Sequence, residues 1–433
     1  MNNSPTDPDD IFAHLAAAAD AGGTDAMFET LAASLTRRRR WHALFDLRLL
    51  ETRISLGLPA TGDLTGNPTG ALGDLLPAQR DELDERSLAA CREVGWPLLD
   101  EGQVAAAWMY LRAAATPADV ARKLSVLAEG LLAAPGVFDD EDASARLQEI
   151  VHVALWEGVD PALGISLVLR TQGTCNAITA YEQAVSRLPA RRQKAAAGVL
   201  VRHLHREVAA ALTADLAHRG GTVANADAAT PAMPDTPAMP AMLPLLERLR
   251  EVGGADDASI HVDVSHLQSV LRIARVCTDP NVIREAWELA CYACRLPAEM
   301  VYPGEPPFEN VGESSRQFFG PLLGHDVERA VGFFRRSAAR ARIEESGTLP
   351  ADTLVLLLTR LGRPTEALHA ALERPAEGPM PSAMLASGML PSLVELAAAA
   401  DSWDALLTAC QTRGDEITYA ATLAARQRAH QSR

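Results

Sequence analysis

The stretch that decides the fold is PARRQKAAAGVLVRHLHREVAAALTADLAHR, residues Pro189–Arg219. Its large apolar side chains recur at intervals of three or four residues, so Leu200, Leu204 and Val208 share one face of a helix. Two glycines follow from Gly220, and glycine commonly ends a helix. The spacing therefore predicts one long helix over the whole stretch.

The composition predicts helices throughout the chain. Alanine is abundant and aromatic residues make up only 5% of the sequence, while runs rich in Val, Ile and Thr are few. Short segments of helical periodicity alternate with Gly or Pro, as at Pro117–Ala133 and Pro161–Thr171. We expect an all-α fold of stacked antiparallel helix pairs, either an α-solenoid or a helical bundle.

Charge and hydropathy exclude several classes of protein. The formal net charge of −16 argues against a general binder of nucleic acid or of anionic membranes. No stretch approaches eighteen uninterrupted apolar residues, and the N-terminal MNNSPTDPDD is not a secretory signal. The six cysteines form no disulfide framework. These features predict a cytoplasmic protein, and the Ala- and Arg-rich usage suggests a bacterial source.

The clearest break in the chain is a proline-rich segment. Residues 220–242 carry prolines at a spacing of three, at positions 231, 234, 237 and 240. We interpret this segment as a linker or surface insertion between an N-terminal helical-repeat region, 10–219, and a C-terminal helical region, 243–433. Residues 1–9 are expected to be a flexible N-terminus.

Three segments share a repeat-like pattern. GQVAAAWMYL from Gly102, GRPTEALHAA from Gly362 and GDEITYAATL from Gly414 each carry alanine or a large apolar residue five to seven positions after the glycine. These scattered helix pairs resemble tetratricopeptide-type repeats. The resemblance implies stacking of helix pairs and implies no function by itself.

Candidate metal ligands are concentrated in ASIHVDVSHLQSVLRIAR, residues Ala258–Arg275. The first half alternates as an extended segment does, and the second half has helical spacing. Ser265 with Gln268 fits a capping box at the start of that helix. His261, Asp263 and His266 lie within six residues, and imidazole with carboxylate suits a divalent Zn, Fe or Mn ion. The alternative is that Asp263 caps the helix.

A second pair of candidate ligands lies on the long helix. His203 and Glu207 are four residues apart on one flank of its apolar stripe, so their side chains can converge. With the three residues above they would form a five-member metal site. The alternative is an ordinary helix-flank His–Glu pair. His205 lies on the opposite flank, and we assign it to substrate binding.

Two further stretches supply candidate substrate-binding and acid/base residues. Thr174, Cys175 and Asn176 follow a glycine at a predicted helix N-terminus, where backbone N–H groups favour an anionic group, and the same helix carries Glu182. The loop YPGEPPF supplies Tyr302 for substrate contact and Glu305 as a second candidate acid/base. Alternatively, these are a threonine helix cap and a proline-rich connector.

Two functions remain open on this pattern. The first is a metal-dependent enzyme, a hydrolase or oxygenase, acting on a small polar or acidic metabolite in a groove between helical halves. The second is a non-catalytic scaffold or adaptor that binds a protein or peptide. Neither involves nucleic acid or a membrane, and the oligomeric state is left open.

Overall fold

The computed structural model describes residues 11–58, 76–134, 136, 140–220, 242–253, 259–342, 346–374 and 383–431. Within these ranges every regular element is a helix and no strand is present, so the predicted all-α class is confirmed. The expected flexible N-terminus and nearly all of the proline-rich segment lie outside the described ranges. The chain divides into two compact units, Met1–Gly164 and Ile165–Arg433, with the division inside a helix.

The first unit contains six helical segments among its described residues, each packed mainly on a neighbour in sequence, and the first segment is broken at Gly23, whose φ is 74°. They are α1 (Ile11–Arg37), α2 (Trp41–Ser55), α3 (Pro77–Asp100), α4 (Val104–Ala114), α5 (Pro117–Ala133) and α6 (Glu141–Val151). Helices α3 and α4 approach closely at Gly95, where an added Cβ would lie 2.6 Å from Cγ of the buried Leu111. A side chain at position 95 would therefore separate the two helices.

The second unit continues the same kind of packing. Its helices are α7 (Pro161–Ala180, shared with the end of the first unit), α8 (Ala190–His218), α9 (Met242–Gly253), α10 (Val264–Ile273), α11 (Pro280–Ala293), α12 (Val311–Leu322), α13 (Val327–Arg340), α14 (Leu349–Arg360), α15 (Pro364–Glu373), α16 (Ala383–Ala386), α17 (Leu393–Ala399), α18 (Trp403–Arg413) and α19 (Glu416–Gln431). Contacts such as α11 with α12 and α14 with α15 join successive helices, which is compatible with a helical repeat.

Several predicted helices have the expected bounds. The long helix predicted over Pro189–Arg219 is α8, and it ends one residue before Arg219. Helix α5 covers the predicted Pro117–Ala133, with proline in its first turn and the Thr116 hydroxyl accepting from the backbone N–H of Asp119. Proline and glycine positions located these ends correctly because both residues act locally on the backbone.

Other parts of the chain differ from what helical spacing predicts. The spacing over Pro381–Ala399 predicts a single helix, but the described part of this stretch is divided into α16 and α17. Gly388 takes a positive φ of 71°, and Pro391 precedes the capping residue Ser392 of α17. Two π-helical turns, His152–Trp156 and Tyr181–Val185, were not predicted, because a one-residue widening of a helix leaves its apolar spacing almost unchanged.

The core of the second unit contains a cluster of aromatic rings. Phe308, Phe318 and Phe334 are each at most 2% exposed, and their ring centroids lie 6.0 to 6.3 Å apart. Phe308 is the last residue of the YPGEPPF loop, so this cluster fixes the end of that loop against α12 and α13. None of the helices among the described residues combines the length and apolar character needed to cross a membrane.

Candidate functional site

His203 and Glu207 meet beside Thr174. The His203 Nε2 atom lies 3.0 Å from Thr174 Oγ1 and 3.6 Å from Glu207 Oε2, and the Thr174 hydroxyl lies 3.5 Å from the same carboxylate oxygen. Burial lowers the pKa of His203, which favours its neutral form. The structure thus brings together one residue of the predicted substrate patch and two of the predicted metal ligands.

His261 is engaged away from that pair. Its Nε2 lies 2.9 Å from Asp215 Oδ2 of α8, and its Nδ1 lies 3.3 Å from the hydroxyl oxygen of Tyr292. The same hydroxyl accepts the backbone N–H of His261 at 2.8 Å. Hydrogen bonds to Arg219 and His261 lower the pKa of Asp215. Both ring nitrogens of His261 therefore have partners inside the fold.

Asp263 caps α10. Its Oδ1 accepts the backbone N–H of Ser265 at 2.8 Å, the Ser265 hydroxyl at 2.6 Å and the backbone N–H of His266 at 3.4 Å, and the serine hydroxyl bond is the main cause that lowers the pKa of Asp263. The capping box predicted from Ser265 and Gln268 is therefore wrong, since the helix begins two residues earlier than that pattern requires. Gln268 instead donates to the carbonyl of Tyr302 at 2.5 Å.

His205 and Glu288 form a buried pair. Their Nε2 and Oε2 atoms lie 2.6 Å apart, and both side chains are less than 10% exposed. The same Glu288 oxygen accepts the backbone N–H of Met242, the first residue of α9, at 3.2 Å. Burial raises the pKa of the nearby Glu285, and one oxygen of that carboxyl has no partner. The pair links α8, α9 and α11, so His205 faces protein and not an open substrate groove.

The stretch Thr174–Asn176 follows a break in α7. The backbone of Gly173 is not helical, with a φ of 84°, so α7 consists of two helices and the second begins after this glycine, as predicted. The Asn176 amide donates to the carbonyl of Gln172 at 3.0 Å, while Cys175 is exposed. Thr174 and Asn176 therefore both have partners within the protein, Thr174 on α8 and Asn176 across the break at Gly173.

Of the two candidate acid/base residues, Glu182 pairs with Arg272 of α10. Glu305 is exposed, and its charge acts on Arg275, whose guanidinium carbon lies 3.3 Å from the centroid of the Phe308 ring. Burial lowers the pKa of Arg275 to about 9, and its Nε has no hydrogen-bond partner. The sequence does not predict this buried arginine. Helical spacing places it beside Leu271, but it does not show that the guanidinium contacts Phe308.

The predicted five-member metal set is therefore divided among three local arrangements: the Thr174–His203–Glu207 group, the His261–Asp215–Tyr292 group and the Asp263 cap. Within the described ranges no group of three or more His, Cys, Asp or Glu side chains is placed to hold a metal ion. No family model, no curated protein and no solved structure matches this chain.

Proposed function

We propose that the protein is a non-catalytic helical-repeat adaptor that binds a polypeptide partner through residues 298–310, here called the 298–310 loop. The observation that carries the proposal is the exposure of two large side chains on this loop. Met300 is 51% exposed and Tyr302 is 67% exposed. Tyrosine and methionine are enriched in protein–protein interfaces, where they supply contact area.

The base of the 298–310 loop is held in place. The Tyr302 carbonyl accepts from Gln268, the Gly304 N–H donates to the Glu309 carbonyl at 3.2 Å, and Phe308 is only 2% exposed. A surface that is ordered before binding loses less conformational entropy when a partner docks. The exposed pair is therefore presented on a fixed support.

The pairing of the candidate ligands also supports an adaptor over a metal-dependent enzyme. A metal site would need His261, Asp263 and His266 to aim at one point with His203 and Glu207. His261 is engaged by Asp215 and Tyr292, and Asp263 is engaged by the first turn of α10. Recruiting them to a metal would break these bonds and remove the partners of Asp215 and of the first-turn N–H groups of α10.

Site-specific photo-crosslinking in the full-length chain tests the proposal. A benzoylphenylalanine at position 302, irradiated in a lysate of the source organism, is expected to give one discrete adduct that mass spectrometry identifies. Adding Met300→Ala should reduce its yield at least fivefold, and the identified partner should bind the purified wild-type chain. The matched control carries the crosslinker at Ile417, which is 83% exposed on α19.

The control distinguishes specific docking from nonspecific crosslinking. A partner site at the 298–310 loop requires that position 417 does not give the same adduct. The same set of adducts from both positions, or no adduct from position 302, contradicts the proposal.

A further inference from the structure

We propose that a cavity at the C-terminal end of α13 binds the phosphate group of an organic phosphate monoester. The cavity, here called the arginine pocket, has a volume of about 320 Å³ and is lined by Arg336, Ser337, Arg340, Arg342, Phe333 and Pro306. Volumes of about 300–1,000 Å³ are usual for small-molecule sites. The inference goes beyond the proposed adaptor function and does not depend on it.

Two of the arginines are available for a ligand. Arg336 and Arg340 are four residues apart on α13, so they lie on one face of the helix. Both are exposed, and within the described ranges neither guanidinium makes an ion pair or a hydrogen bond. Their neighbour Arg335 is different, because its guanidinium is paired with Glu366 at 2.6 Å.

Gly332 makes room for one of these guanidinium groups. A Cβ built at this glycine would lie 3.3 Å from Nη1 of Arg336, so the arginine side chain folds back over the preceding turn of α13. This direction follows the general tilt of helical side chains toward the N-terminus. Arg336 and Arg340 therefore present their donors to the same concave surface.

The charge of the pocket favours an anion. Among the described residues that line the pocket, Arg336 and Arg340 make no ion pair and Glu309 is the one carboxylate, in a chain whose formal net charge is −16. The C-terminal end of a helix contributes roughly half a negative charge, which the charges of Arg336 and Arg340 outweigh. A dianion bound here would relieve the mutual repulsion of these guanidinium groups.

The donor chemistry selects a phosphate monoester. The planar fork of a guanidinium donates two parallel N–H bonds to a phosphate, and the Ser337 hydroxyl adds a further donor at the wall. Phe333 and Pro306 give an apolar side on which an organic substituent can rest. A free phosphorylated metabolite and a phosphorylated peptide side chain share this chemistry, and the experiment distinguishes them.

Isothermal titration calorimetry of the full chain with phenyl phosphate tests the site. We expect saturable binding with about one ligand per chain, and at least tenfold weaker binding in Arg336→Gln and in Arg340→Gln. Arg335→Gln is the matched control: it removes the same charge one residue away and should change the affinity less than twofold. Phenyl sulfate, a monoanion of similar shape, should bind at least fivefold more weakly than phenyl phosphate.

A second titration assigns the source of the phosphate group. The capped tripeptide acetyl-Ala-phosphoSer-Ala-amide binding tighter than phenyl phosphate assigns the pocket to a phosphopeptide, and the reverse order assigns it to a small metabolite; either result supports the site. Absence of saturable binding by both probes overturns the proposal. Equal losses in Arg335→Gln, Arg336→Gln and Arg340→Gln overturn it too, since they would reflect general charge attraction. Circular dichroism of each variant confirms that it is folded.

Discussion

His261 and Asp215 are 46 residues apart in sequence and hydrogen-bonded in the fold, with 2.9 Å between Nε2 and Oδ2. The His261 side chain is only 6% exposed. The bond ties the segment before α10 to the last turns of α8, and Tyr292 of α11 completes the group from the other side. A residue type that suggests a metal ligand in the sequence thus serves as a structural tie.

The first prediction concerns the pH dependence of this tie. The pKa of Asp215 is lowered in the folded chain, so near pH 4 the folded state binds fewer protons than the unfolded state. The stabilisation is present above the ordinary aspartate pKa of about 3.9 and is lost as the pH falls below it. Asp215→Asn should therefore be less stable than wild type at pH 7, and this difference should shrink toward pH 3.5, as urea titrations can measure. A difference that stays constant across this range would contradict the prediction.

The second prediction concerns the cap of α10. Asp263→Ala removes the acceptor of the first-turn N–H groups and should lower the free energy of unfolding by about 1 kcal/mol. Asp263→Asn keeps an acceptor oxygen and should cost only a few tenths of that amount. Urea unfolding measures both variants, and metal content should be the same in both and in wild type. Loss of a bound metal in either variant would instead support the ligand assignment.

The third prediction uses two glycines of the first unit. Gly95→Ala places a Cβ 2.6 Å from the buried Leu111 and should lower the free energy of unfolding by about 1–3 kcal/mol. Gly130→Ala in α5 meets nothing within 4 Å and should raise it by about 0.5–1 kcal/mol, because alanine favours the helix. Thermal unfolding of the two variants should therefore shift in opposite directions. Shifts of the same sign would show that α3 and α4 are less closely packed at Gly95 than the structure places them.

The fourth prediction concerns the buried arginine. Arg275→Met removes a desolvated charge with an unpaired N–H and keeps a side chain of similar length over Phe308. We expect an unfolding free energy equal to or above that of wild type. Phe308→Ala should lower it by about 3–5 kcal/mol, because it opens a cavity in the aromatic cluster. A strong loss in Arg275→Met would show that the guanidinium has a partner that outweighs its desolvation.

The fifth prediction orders the cysteines by reactivity. All six are free; Cys175 is exposed, whereas Cys277 is buried and burial raises its pKa to about 12. A thiol reagent at pH 8 should label Cys175 first and Cys277 only on unfolding, since the thiolate is the reactive form. Cys294 is exposed as a residue, but desolvation of its thiol group raises the thiol pKa to about 12. It should therefore react more slowly than Cys175. Peptide mapping of partly labelled protein gives the order, and early labelling of Cys277 would contradict it.

The sequence predicts those features that act over a few residues. Proline, glycine and apolar spacing located α5 and α8 because helix ends and helix faces depend on near neighbours. The sequence leaves open whether Asp263 is a cap or a metal ligand, and in the structure its carboxylate accepts the first-turn N–H groups. The sequence does not predict which residue, distant in the chain, each side chain contacts.

The contacts of the candidate site could not be predicted, because they join residues that are distant in the sequence. The partners of His261 lie 46 and 31 residues away, and no spacing rule connects them. The arginine pocket gives a similar lesson. The run RRSAARAR at 335–342 shows an excess of cations, but only the fold shows that Arg335 is paired and Arg336 is not. Charge counting alone treats the two arginines as equal.

The bond from the Met242 backbone N–H to Glu288 bears on whether the chain must be continuous between α8 and α9. The first residue of α9 is held to α11, and α9 packs against α8. These contacts do not require the peptide bonds between Gly220 and Met242. If a protease cleaves the chain there, the two fragments should therefore elute together in native size-exclusion chromatography and separately under denaturing conditions. New termini could be introduced at the same place, which makes the second unit a suitable scaffold for fragment complementation.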